Sequence, residues 1–167
     1  MTQSDRDASV VVADERSPDD SPDVLVELDR WRRLAEAALE TEGAAGELTL
    51  TFVDTAEITA LNEQYMDKAG PTDVLSFPMD DEPVPGVPVL LGDVVISPAV
   101  AAGQFADHAG TLDDEIALLV VHGILHVLGH DHADAADAAT MRQRELVLLE
   151  AHHWGASAPT GFRQLHD

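Results

Sequence analysis

Cysteine is absent from the chain and lysine occurs once, at Lys68. The first absence excludes disulfides, thiolate metal sites and a cysteine nucleophile, so any metal must be held by His, Asp or Glu. The second belongs to a wider deficit of positive charge: 9 Lys and Arg stand against 32 Asp and Glu, and the formal net charge is −23. A protein that gains nucleic-acid affinity by neutralising phosphates presents a basic face. Here basic residues cluster only at Arg30, Arg32 and Arg33 and at Arg142 and Arg144. Bulk charge therefore argues against phosphate binding. It suggests a solvated acidic surface, or a salt-rich cytoplasm that screens the surface's self-repulsion. Aromatic residues are scarce at 4%, and no apolar run reaches the roughly 18 residues of a membrane span. The opening Met-Thr-Gln-Ser-Asp-Arg-Asp lacks the apolar stretch of a signal peptide, so a cytoplasmic protein with no membrane association is expected.

What is present suffices for one core. The chain has 167 residues, 45% of them apolar, which is about one domain's worth. Residues 1–8 read as a flexible arm, 9–154 as a single domain and 155–167 as a C-terminal tail. An apolar β-branched run over 9–13 predicts a strand. Ser21-Pro22 reads as a cap followed by proline at the first helical position, opening a helix to about Glu42 with Leu25, Leu28, Trp31, Ala35 and Leu39 at helical spacing. Alternation over 47–53 predicts a second strand. Asp54 then caps a helix carrying Ile58, Leu61 and Tyr65 that ends before Gly70-Pro71. Strands follow at 74–77 and from 89 to 96, and Ser97-Pro98 opens a helix toward His108. Thr111 caps the longest apolar helix, which Gly129 closes, and a last helix spans about 134–150. The order β, α, β, α, β, β, α, α, α suggests a small mixed sheet with helices packed on it.

The chemistry is concentrated in His122-Gly123-Ile124-Leu125-His126-Val127-Leu128-Gly129-His130-Asp131-His132. Side chains four apart on a helix share a face, so His122 and His126 can meet at one metal ion. Gly129 permits a helix-ending turn that folds His132 back as a third ligand. Three imidazoles and an open position make up a catalytic zinc site, since structural sites close with four protein ligands. Zinc lowers the pKa of a water in the open position to about 7, which makes that water the main nucleophile candidate. One Zn2+ per chain is expected. His130 lies four residues after His126 and competes as a ligand only if the helix continues, which Gly129 argues against. His108, His152, His153 and His166 show no such spacing. The offsets 0, 4, 7 and 10 of His122, His126, Gly129 and His132 also match metzincin metallopeptidases. Those enzymes carry their general-base Glu directly after the first His, where this chain has Gly123, so peptidase activity is the weaker reading.

The segment HGILHVLGHDH resembles the signature of the YbeY family of bacterial zinc-dependent endoribonucleases. Leu61-Asn62, the run from Pro71 to Pro78 and the run from Leu91 to Ser97 are similar to the family's other segments, in the same order. The resemblance covers about residues 9–150. It implies an α+β fold with a four-stranded mixed sheet, about five helices and a cleft over a metal held by His122, His126 and His132 on a central helix and the turn after it. The activity implied is cleavage of single-stranded regions in 16S rRNA 3′-end maturation and ribosome quality control, with ribosomal RNA and the small subunit or its proteins as partners. Asp131, beside the third ligand, is a candidate for orienting a histidine ring. Asp73 and Ser76 are catalytic candidates by resemblance alone. Met66 stands where many members carry an arginine implicated in RNA handling, and Lys68 is the nearest substitute, so both are candidate substrate contacts. His130 replaces the family's common tyrosine. Two other classes compete: a zinc metallopeptidase, and a non-catalytic ribosome-maturation partner whose acidic surface meets basic ribosomal proteins.

Overall fold

The computed structural model describes residues 7–79, 84–131 and 134–164. Within them the elements run β1 (Ala8–Asp14), α1 (Leu28–Thr41), β2 (Gly46–Phe52), α2 (Thr55–Met66), β3 (Val74–Pro78), β4 (Leu90–Ile96), α3 (Pro98–Gln104), α4 (Leu112–Val127) and α5 (Ala135–Leu149). A short 3-10 turn, Phe105–Asp107, precedes α4, and a π-helical turn, Glu150–Trp154, follows α5. The strands form one mixed sheet in the order β1-β2-β4-β3, with β1, β2 and β4 parallel and β3 antiparallel on the edge. This is the small mixed sheet with packed helices that the order of elements implied, and the α+β fold that the resemblance implied.

Strand alternation sorts side chains between two layers. Leu48, Leu50 and Phe52 of β2 and Val94 and Ile96 of β4 face α1 and α4 and are fully buried with them. On the other face, Val53, Leu75 and Val95 pack under Ile58 of α2, with Leu61 and Phe77 at the margin. The central helix α4 is buried on all sides between Ile116 and Leu125, between the sheet on one side and α1 and α5 on the other. A helix apolar all round belongs in a core.

Three caps were readable, the cap at Asp134 was not named, and one start was misplaced. Asp54, Ser97, Thr111 and Asp134 each accept a backbone N–H of the following turn at the head of α2, α3, α4 and α5. The first helix, however, begins at Leu28 and not at Ser21-Pro22. Arg16 explains the difference: its guanidinium donates to the Ser21 carbonyl, the Ser21 hydroxyl and the Val24 carbonyl at 3.0–3.3 Å. Ser21 takes a positive φ of 48°, and Leu25, assigned to the helix stripe, is 84% exposed. The carbonyls that would start a helix are thus held by a side chain.

Candidate metal centre and its surroundings

His122 and His126 lie one turn apart on α4, with ring centroids 4.6 Å apart and planes at 78°. His122 is buried, and its Nδ1 is 2.6 Å from Oε2 of Glu145 on α5. A carboxylate only accepts, so Nδ1 carries the proton, and the neutral ring then presents Nε2 as its lone-pair donor. A carboxylate behind a histidine is the usual support of a metal-ligating imidazole: it sets the tautomer and the ring direction and raises the ring's basicity.

The helix ends as Gly129 implied. Gly129, at φ 101°, donates its N–H to the His126 carbonyl, and His130 donates its N–H to that of Leu125, at 3.0 and 2.9 Å. This pair of bonds is a Schellman closure, which turns the chain sharply out of the helix. His130 therefore leaves the face that carries His122 and His126, and its Nε2 lies 3.8 Å from Glu42. Asp131 follows, exposed. His132 lies outside the described residues, and so does His166. Among the described residues no three His, Asp or Glu side chains converge as a metal-binding group. The donor chemistry nonetheless fits a metal: two imidazoles on one face, one of them presented by a buried carboxylate, with the helix closed directly after them.

The other candidates fall in two places. Ser76 reaches the histidine helix, donating its hydroxyl to the Gly123 carbonyl at 3.0 Å and so tying the edge strand to the turn that carries His122. Asp73 is tied further up α4. Its carboxylate accepts from the Gln104 amide, which also donates to Glu115, both at 2.8 Å. Glu115 is fully buried two turns before His122 and also accepts from the Ala109 N–H, with His108 Nδ1 at 3.4 Å. The structure thus joins Asp73 to Glu115, and Ser76 to the helix of the histidines. His152 and His153 are partnered by Thr41 and Asp114.

Gly123 explains why the peptidase glutamate is missing. A Cβ at this position would stand 2.6 Å from Val94 Cγ1 and 3.3 Å from Ser76 Oγ. The helix rests directly on β4, and no longer side chain fits without moving it.

Met66 and Lys68 sit where α2 ends. Asp67 adopts the left-handed conformation that closes the helix, Lys68 donates its N–H to the Asn62 carbonyl, and the buried Asn62 amide donates to the Gly70 carbonyl at 3.0 Å. Met66 is 39% exposed, and Lys68 is exposed too. Beside them Tyr65 stands edge-on to Phe77 at 5.4 Å, lining a groove of about 450 Å³ with Thr49, Thr51 and Asp93. This groove is on the sheet face away from α4. Four of the clustered arginines are committed elsewhere: Arg30 to Glu27 and Asp113, Arg32 to Asp29 and Glu36, Arg33 to Asp29, and Arg144 to Glu42.

Two residues that support the centre escaped sequence reading. Glu145 falls on the buried stripe Met141, Glu145, Leu148, Leu149 of α5, and a carboxylate on an apolar stripe was the available signal. Gln164, which donates to Glu145 at 2.8 Å, gave none.

Fold and site together define an α+β domain with one mixed sheet, helices on both of its faces and a buried, histidine-bearing central helix suited to a metal. The family model described as Endoribonuclease YbeY matches residues 18–153, and the chain belongs to that family. It is 44% identical over 128 residues to the Endoribonuclease YbeY of Mycolicibacterium vanbaalenii, covering 72% of this chain and 68% of that one. The Moorella thermoacetica protein of the same name is 44% identical over 131 residues, covering 73% and 84%. That of Mycolicibacterium paratuberculosis is 38% identical over 164 residues, covering 93% and 89%. The solution structure of TM1509 from Thermotoga maritima has the same fold, with a TM-score of 0.57 and 24% identity over 87% of this chain and 89% of that one.

Proposed function

We propose that the chain is a single-strand-specific endoribonuclease that hydrolyses phosphodiesters in ribosomal RNA. Its place is in 16S rRNA 3′-end maturation and ribosome quality control in the cytoplasm, on the small ribosomal subunit or its proteins, with one zinc ion per chain held by His122, His126 and His132. The observation that carries the metal part is the 2.6 Å contact of Glu145 with His122 Nδ1, because it commits that ring to offering Nε2. Membership of the endoribonuclease YbeY family carries the reaction class.

Zinc bound there supplies Lewis acidity, polarising a phosphoryl oxygen and making water nucleophilic near neutral pH. The chain's own residues do the rest. Glu145 holds the His122 ring, Ser76 pins the helix turn that carries it, and the buried body of α4 keeps solvent from one wall of the site. Asp131, next to the third histidine in the chain, orients a ring from outside. Tyr65 offers a face for a splayed base, and Lys68 and Met66 beside it supply one cation and one apolar contact.

The test is cleavage of a 16S rRNA 3′ fragment by purified wild type and His126→Ala in parallel, with casein as a second substrate. RNA cleavage by the wild type alone is expected. Equal RNA cleavage by both proteins, none by either, or cleavage of casein in place of RNA would overturn the proposal.

A further inference from the structure

The segment after the π-helical turn does not trail away from the domain. Ala158 donates its N–H to Glu150, Phe162 donates its N–H to the Pro159 carbonyl, and Arg163 donates its N–H to the His108 carbonyl at 3.1 Å. The Phe162 ring stands edge-on to Trp154 at 4.8 Å. These anchors bring Gln164 over α5. Its amide nitrogen donates to the Arg142 carbonyl at 2.9 Å and to Glu145 Oε1 at 2.8 Å. Both partners only accept, so both amide hydrogens are used and the amide orientation is settled by chemistry.

Glu145 is the residue whose other oxygen meets His122. The torsion that rotates a carboxylate about its last bond is broad and weakly restrained, so a partner on each oxygen sets the plane of the group. Gln164 lies beyond the residues 18–153 that the family model matches. This feature belongs to the chain rather than to the matched signature.

We propose that Gln164 is a positioning residue for the metal centre, orienting Glu145 and through it His122, so that the C-terminal segment controls how tightly the metal is held. The inference rests on the reading of His122 as a zinc ligand. Outer partners of metal-ligating histidines are worth about 10–100-fold in metal affinity, and a group one bond further out belongs at the low end, roughly tenfold.

The experiment compares the full-length wild type, Gln164→Glu and Gln164→Met. Zinc affinity of the metal-stripped proteins is measured by competition with a chromophoric chelator, alongside their metal-free melting temperatures. Glutamate keeps the shape but puts an acceptor against two acceptors, whereas methionine keeps the length without polarity. The expected result is about tenfold weaker zinc binding for Gln164→Met and a larger loss for Gln164→Glu, with metal-free melting temperatures close to wild type. Equal zinc affinity in all three, or a loss matched by an equal fall in metal-free stability, would overturn the proposal. A wild type that binds no zinc would instead overturn the metal reading itself, and this inference with it.

Discussion

A glutamate on the apolar stripe of α5 decides which nitrogen a histidine on α4 offers to the outside. Replacing it by glutamine keeps an oxygen for His122 Nδ1 but removes the charge, and it sets an amide nitrogen against that of Gln164. Glu145→Gln is expected to weaken zinc binding by about 10–100-fold in a chelator competition; unchanged affinity would mean that His122 is not a ligand. Gly123 makes a prediction about packing. Gly123→Ala brings a Cβ to 2.6 Å from Val94, and urea unfolding should show a loss of about 1–3 kcal/mol, the usual cost of overpacking a core. No loss would mean that α4 stands further from the sheet. At this scale the histidine pair was legible because helical periodicity alone puts residues four apart on one face. Ser76 and Asp73 could be named but not placed, since the partners that separate them, Gly123 and Gln104 with Glu115, come from distant parts of the chain.

Among the elements, the side-chain caps at Asp54, Ser97 and Thr111 could be read locally because a cap needs only the residue before a helix and the turn after it. The start of α1 could not, because Arg16 reaches across the loop to claim Ser21 and Val24. That clamp also has a pH signature. Arg16 beside Asp14, at 2.9 Å, holds the Asp14 carboxyl below its ordinary value. A lowered folded-state pKa gives stability that is present above the unfolded carboxylate range near pH 4 and is lost as pH falls through the lowered value. The gap in melting temperature between wild type and Asp14→Asn should therefore be widest from pH 5 to 8 and close on further acidification. A gap independent of pH would remove the ion pair as its cause. At the other end of the domain, Gly129→Ala forces a side chain into a φ of 101°. It should cost more than about 1 kcal/mol in urea unfolding. On the ligand reading it should also weaken zinc binding, because the closing turn between His126 and His132 is disturbed.

For the molecule as a whole, the order of strands and helices implied a small mixed sheet, yet the register and the edge position of β3 depend on pairings between distant segments. Charge acts at this scale too. With a formal charge of −23 and the Arg30, Arg32 and Arg144 guanidinium groups already paired, the folded chain repels itself. Screening over about 3 Å at 1 M salt relieves that repulsion, so the urea midpoint should rise with KCl, and a flat response would show that the charges are too dispersed to matter. RNA binding should depend weakly on salt for so acidic a protein. If Lys68 meets a phosphate, Lys68→Ala removes about 0.7 from the log–log salt slope for a single strand.

The reach of Gln164 back to Glu145 also has a consequence in time. Chains are made from the N-terminus at about 5–20 residues per second, and Gln164 follows Glu145 by 19 residues. Roughly one to four seconds of synthesis therefore separate the carboxylate from the amide that holds it. The parts are made in chain order: His122 and His126 first, Glu145 next and Gln164 last. On the zinc-ligand reading, a chain that stops short of Gln164 carries the histidines and their carboxylate but not the brace.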